Sequence, residues 1–237
     1  MAAAATAGGH PLDNPVMSAL TGPHGHLAER CGQALRYPAD ASPFVALPLE
    51  PDKAAWDDLG ELVGAGGVAA TAGDPVRPPD GWEVLMNLDG VQMVDDGVAA
   101  GFEAEAVPLG AADVPEMLAL VRRTRPGPFL PRTIELGRYL GVRRDGELIA
   151  MAGERLHPAG WAEISAVCTD ERYRGQGLGS RLVRAVAASI RDRGERPFLH
   201  AAAGNAGAIR LYESMGFRHR RPVSFIVVRP PALVAAS

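Results

Sequence analysis

Between Val167 and Val183 the chain reads V-C-T-D-E-R-Y-R-G-Q-G-L-G-S-R-L-V, with Gly175, Gly177 and Gly179 at alternate positions and Arg172, Arg174 and Arg181 around them. An apolar run leads into this stretch, and Leu178, Leu182, Val186 and Ile190 recur every fourth residue after it. That pattern predicts a strand, a glycine turn and an amphipathic helix. Glycine at such a junction lets the backbone approach a ligand closely. The first amides of the helix have no intrahelical acceptor and point outward, so the turn suits an anion, phosphate above all. The three arginines add positive charge.

Two phosphate loops fit poorly. No Gly-Lys-Ser/Thr follows, as a Walker loop requires. Gly175-Gln176-Gly177-Leu178-Gly179-Ser180 half matches a dinucleotide fingerprint, but Ser180 stands where the third glycine belongs, and Glu195 precedes the next strand instead of ending it.

The elements that must position this turn follow from the rest of the chain. Its 237 residues allow one large domain or two small ones, and 47% hydrophobic content is enough for a core. A net charge of -4 gives no support to nucleic acid as a partner. Two cysteines without paired spacing, Cys31 and Cys168, read as a reduced, cytoplasmic protein. Met1 to Gly9 makes a poor signal peptide, and no apolar run approaches the ~20 residues that span a bilayer. Residues 1–15 read as a loose tail. Helices are expected at Val16 to Leu20, Leu27 to Leu35 and Asp52 to Val63, and short strands at Phe44 to Leu47 and Val68 to Thr71. Trp82 to Leu88 and Val91 to Val94 are expected to pair around Asp89-Gly90, a hairpin signal. His24 and His26 lack a third ligand and read as loop or cap residues, so no metal is expected. Residues 1–95 carry no recognisable chemistry.

From Glu105 the expected order is strand (to Leu109), helix capped by Asp113, helix (Thr133 to Arg138), and strands at Tyr139 to Arg143, Glu147 to Leu156 and Trp161 to Thr169. The glycine turn and its helix to Arg193 follow, then a strand (Pro197 to Ala202), a helix opened by Asn205 and ended by Gly216, and a strand (Ser224 to Val228). Hairpin-linked strands before helix-linked ones indicate a mixed α/β (α+β) sheet.

Three motifs in this order resemble the GNAT acyltransferase superfamily. They are Arg174-Gly175-Gln176-Gly177-Leu178-Gly179; the run Asn205 to Phe217, similar to the superfamily's N-x-x-A-x-x-x-Y-x-x-x-G-F; and Trp161 to Val167, the strand feeding the turn. The resemblance covers residues 103–229. It implies a GNAT fold at 103–237, with residues 1–102 an extension or a diverged half-lobe as in the glycine N-acyltransferase-like branch. It also implies acetyl-CoA as co-substrate, with the pyrophosphate held by the amides of Arg174, Gly175, Gln176, Gly177, Leu178, Gly179 and Ser180. In the superfamily the fourth strand splays from the fifth. Carried over, that leaves the main chain of Val167, Cys168 and Thr169 to pair with the pantetheine arm, with Asn205 and Ala208 at the opening of the next helix. Asn205 is equally a plain helix cap. Tyr212 matches the position that protonates the departing thiolate, and is otherwise a buried core tyrosine.

An amine attacking a thioester must first lose its proton. Glu163 is the leading base: regular alternation puts it on the face of Ser165 and Val167, and an apolar strand should raise its pKa. It is otherwise a solvated strand-end glutamate. Glu154 is second and His200 third, a lone histidine on an apolar strand being more often structural. The Pro-rich segment Arg125 to Arg132 falls where the family places an acceptor loop. Its two arginines could hold a carboxylate or stand solvated. Cys168 reads as a packing residue. The expected activity is acetyl transfer from acetyl-CoA to a primary amine of a small molecule, without metal, nucleic acid or membrane and with room for a homodimer. A protein N-acetyltransferase and a non-catalytic acyl-CoA-binding module are the alternatives.

Overall fold

In the computed structural model, which describes residues 9–99, 101 and 103–231, each helix near the glycine turn is bounded by residues suited to its ends. The turn delivers the chain to α4 (Leu178–Asp192) through Gly177 at φ 75°, a left-handed conformation that costs glycine little. Asn205 caps α5 (Ala206–Met215) by accepting from the Ala208 amide, and Gly216 ends it at φ 101°. Asp52 caps α2 (Lys53–Val63) the same way, through the Ala55 amide. A short α1 (Pro15–Leu20) and α3 (Val114–Thr124) complete the helices used below.

Eight strands form one sheet. They are β4 (Ala69–Gly73), β5 (Glu83–Asp95), β6 (Ala106–Leu109), β7 (Tyr139–Arg144), β8 (Glu147–Glu154), β9 (Trp161–Thr169), β10 (Arg196–Ala202) and β11 (Phe217–Arg229), in the order β4-β11-β5-β10-β9-β8-β7-β6. β9 and β10 run parallel and the other neighbours antiparallel. A separate small sheet holds β1 (Glu29–Cys31), β2 (Ala34–Arg36) and β3 (Val45–Ala46). The division expected after residue 102 therefore runs between strands that share one sheet.

The periodicity of α4 is spent on one face of this sheet, where Leu182, Val186 and Ile190 pack with Ile149, Ala162, Ile164 and Leu199. Each such burial stabilises by roughly 1.5–3 kcal/mol. On the opposite face, Met117 and Leu120 of α3 meet Leu148, Met151 and Cys168. There too Leu12, Val16, Leu20 and Tyr37 cover Leu156, Trp161 and Phe198.

Several expectations are corrected. Leu27 to Leu35 is not a helix but a 3-10 turn (Gly25–Leu27) and the β1–β2 hairpin, which turns at Gly32 with φ 48°. Asp89-Gly90 is not a turn, and residues 83–95 are one strand. Gly90 is there because β5 threads between β10 and β11: a Cβ on it would sit 2.7 Å from the Phe225 ring and 3.1 Å from the Ala201 carbonyl. Thr133–Leu136 is a 3-10 turn, and the last strand starts at Phe217. Of the tail, residues 1–8 lie outside the described residues, while Leu12 is buried and Asp13 pairs with Arg220 and Arg221. No helix among the described residues is long and apolar enough to cross a membrane.

Candidate active site

The site begins where β9 and β10 part. Their parallel register runs from Trp161 with Arg196 to Ile164 with Leu199 and stops. Beyond it β9 keeps β8 as far as Thr169, and β10 keeps β5 through Ala202. The β10-facing edge of residues 165–169 thus has no strand partner, the splay that the resemblance implied. A cleft of about 510 Å³ opens there, lined by Val167, Cys168, Thr169, Arg174, Asn205, Ala208 and Tyr212, with Thr124 to Gly127 and His200 to Ala202 on its other walls. Seven of the expected cofactor-contacting residues are therefore brought together. The glycine turn stands beside it, with Gly175 and Gly177 at φ 79° and 75°, ahead of the exposed first amides of α4.

The charge around the turn is less than the three arginines suggest. Arg172 is paired with Asp170 and Glu147, and Arg181 with Glu103 and Glu105. Among the described residues Arg174 has no carboxylate partner; its Nε donates to the Thr169 carbonyl at 3.4 Å. Tyr212 packs edge-on against Phe217 at 6.0 Å. Burial pushes its phenol pKa upward, so it stays protonated and able to donate at neutral pH. Burial likewise pushes the Cys168 thiol up to about 11, which leaves it un-ionised and a packing group.

The expectations for the base fail on geometry. Ala166, at φ 53°, makes a bulge opposite Ala152, between the pairs Met151–Cys168 and Gly153–Ser165. The bulge breaks the alternation. Val167 turns to the α4 side, its Cγ1 3.8 Å from where a Gly179 Cβ would lie, away from Glu163. Glu163 is fully buried and lines neither cleft. Arg155 donates to both its oxygens at 2.9 and 2.6 Å, and His200 Nδ1 lies 2.7 Å from Oε1. Burial alone would raise its pKa as expected, but Arg155 and His200 override that and hold it at about 2. Glu154 is also buried. Burial works to raise its pKa, yet His157 and Arg193 bring it below the usual carboxylate value, and it faces a separate groove beside Arg138 and Ser189.

His200 does reach the cleft wall, but both its nitrogens are engaged. With Nδ1–H directed at Glu163, Nε2 accepts from Gln92 Nε2 at 3.1 Å. That amide also donates to the Leu12 carbonyl, and its oxygen accepts from Arg220. A polar line thus runs Arg155–Glu163–His200–Gln92–Arg220–Asp13, buried at its Glu163 end and part-buried at Asp13.

A second chamber, of about 330 Å³, adjoins the first and shares Leu88, Pro126, Gly127, His200, Ala201 and Ala202 with it. Its remaining walls are Pro43, Phe44, Val68, Ala70, Met86, Pro128, Arg155, Phe225 and Val227. The first 95 residues, which carry no motif, therefore supply six of its fifteen lining residues. Of the Pro-rich segment, Arg125 lines the first cleft and Pro126 to Pro128 the second. Arg132 is instead tied to Glu135 and Asp40. Phe44, Arg155, Gln92 and Phe225 were missed because no local spacing links them. Only Gly90, as a close-approach glycine, hinted that β5 is central.

The model of the family described as FR47-like protein matches residues 139–226. A solved structure described as an acetyltransferase of the GNAT family, from Novosphingobium aromaticivorans, is 42% identical, covers 94% of this chain and 100% of its own, and superposes with a TM-score of 0.87. The chain belongs to the GNAT acetyltransferase family. A GCN5-related N-acetyltransferase from Kribbella flavida has the same fold, at 19% identity, TM-score 0.62, and coverage of 93% of this chain and 96% of its own. Mycothiol acetyltransferase from Thermomonospora curvata is 37% identical over 38% of this chain, and the match spans 30% of that protein. N-alpha-acetyltransferase RimI from Mycobacterium tuberculosis is 35% identical over 34% of this chain and 51% of its own length. The chain thus spans under a third of the first of these relatives and about half of the second. GNAT acetyltransferases take acetyl-CoA as co-substrate, and the unpaired β9 edge, the glycine turn and the free Arg174 are groups that fit it.

Proposed function

We propose that this protein transfers an acetyl group from acetyl-CoA to a primary amine of a small molecule by direct attack on the thioester. The observation that carries this reading is the join between the two cavities. The cofactor cleft, with Tyr212 on its wall, shares Leu88, Pro126, Gly127, His200, Ala201 and Ala202 with the second chamber, so an acceptor held in that chamber lies next to the cleft. The amides of Gly175 to Ser180 bind the pyrophosphate at the start of α4, and Arg174 adds its unmatched charge. The main chain of Val167 to Thr169 pairs with the pantetheine arm as an added strand would. Asn205 and Ala208 border that arm. An amine that has lost its ammonium proton to solvent bonds to the carbonyl carbon as the C–S bond breaks. The new amide gives its second proton to solvent, Tyr212 donates its proton to the leaving thiolate, and solvent reprotonates Tyr212. Glu163 serves as a positioning residue: it fixes His200, which lines both cavities, and Arg155, which lines the second chamber, and takes no proton.

Tyr212→Phe tests the assignment. Removing a positioned acid typically costs about 10²–10⁴-fold in rate. The expected result is a fall in kcat of at least about a hundredfold with the Kd for acetyl-CoA unchanged. Unchanged turnover would remove Tyr212 as the acid.

A further inference from the structure

The chamber beside the cofactor cleft is selective in what it lacks. Among the described residues that line it, none is a carboxylate. Its one formal charge, Arg155, is paired through Nε and Nη2 with the Glu163 carboxylate behind the wall, and its guanidinium lies 4.8 Å over the Phe44 ring. The other titratable group on the wall, His200, is spent on Glu163 and Gln92. Most of what remains is apolar: Phe44, Ala70, Met86, Leu88, Phe225 and Val227. Such a surface gains from covering an apolar body. It offers no carboxylate to a second ammonium, and the charge of its one cation is already balanced by Glu163, so burying a second charge there is opposed. Its volume of about 330 Å³ is at the small end of the ~300–1,000 Å³ usual for ligand sites. We infer that the acceptor is an apolar monoamine of aryl-alkyl or branched-alkyl type, carrying no second charge, whose hydrocarbon body fills this chamber. Free amino acids, polyamines and amino sugars are then disfavoured. The inference takes the acceptor's amino group from the acyl-transfer reading, but its test does not depend on turnover.

Calorimetric titration of the coenzyme A-loaded protein with 2-phenylethylamine, phenylalanine, spermidine and glucosamine separates these classes, with acetyl transfer to each followed in parallel. The expected result is that 2-phenylethylamine binds at least tenfold more tightly than the other three, with a negative heat-capacity change from apolar burial. Met86 and Val68 are about half exposed and line this chamber but not the cofactor cleft, so Met86→Trp and Val68→Trp should fold normally. Each should weaken 2-phenylethylamine binding at least fivefold and leave coenzyme A affinity unchanged. Tight binding with no transfer would keep the chamber assignment and end the acyl-transfer reading. Equal or tighter binding of phenylalanine, spermidine or glucosamine, no binding of 2-phenylethylamine, or insensitivity to both tryptophans would overturn the assignment whatever the turnover.

Discussion

Glu163 is where residue-level reasoning from sequence and the folded chain part most clearly. The rule that an apolar strand raises a carboxyl pKa is sound for an isolated group. Here Arg155 lies eight residues ahead in sequence, across the loop between β8 and β9, and supplies two hydrogen bonds. No local pattern announces that meeting. Because its folded pKa is about 2 against an ordinary 4.5, the ion pair's contribution is complete above pH 4.5 and is lost as pH falls toward 2. Glu163→Gln should therefore leave the shape of the pH–rate profile between pH 6 and 9 unchanged. It should lower stability by about 3–5 kcal/mol, the usual cost of stranding one buried charge, as measured by urea unfolding. Loss of the basic limb with stability intact would restore Glu163 as a base. The positions of Tyr212 and Asn205 on the cleft wall, by contrast, were legible, because both sit at fixed offsets within one helix and its cap.

At the scale of elements, the chain from Ala106 to Arg229 follows the expected order because its helices carry long apolar periodicities and its turns carry glycine. The N-terminal elements are shorter, and there the signals conflict. Gly90 shows why: Asp-Gly between two apolar runs reads as a hairpin, yet β5 needs glycine because Phe225, Val223 and the Ala201 carbonyl close on that point. Gly90→Val should force β5 away from β10 and cost about 1–3 kcal/mol through overpacking. Since Phe225, the nearest neighbour of that Cβ, lines the second chamber and not the cofactor cleft, the substitution should also raise the KM for the amine more than that for acetyl-CoA. Steady-state kinetics beside thermal unfolding would check this; a variant as stable and active as the parent would mean that the close packing of β5 is not needed there.

For the whole molecule, the first 95 residues contribute β4 and β5 to the sheet and part of the wall of the second chamber, so on the proposed reading their attachment matters to function. His24 sits at that seam, 2.8 Å from the Tyr37 hydroxyl and with its ring 5.0 Å from that of His157. Burial, then the neighbouring His157 and His26, push its pKa down to about 4 from 6.5. The neutral form is the folded one. Its stabilisation is whole above pH 6.5 and declines as pH falls to 4, because the unfolded chain binds the proton first. The unfolding midpoint should drop across that window, and His24→Gln should flatten the drop; an unchanged slope would place the acid sensitivity elsewhere. What the whole chain does is tested most directly by incubating it with acetyl-CoA and 2-phenylethylamine and following free thiol and N-acetylated amine together. The account predicts the two in equal amounts, rising with enzyme concentration and falling at least about a hundredfold in Tyr212→Phe. Tight acetyl-CoA binding with no acetylated product from this or any other primary amine would contradict it and leave an acyl-CoA-binding module.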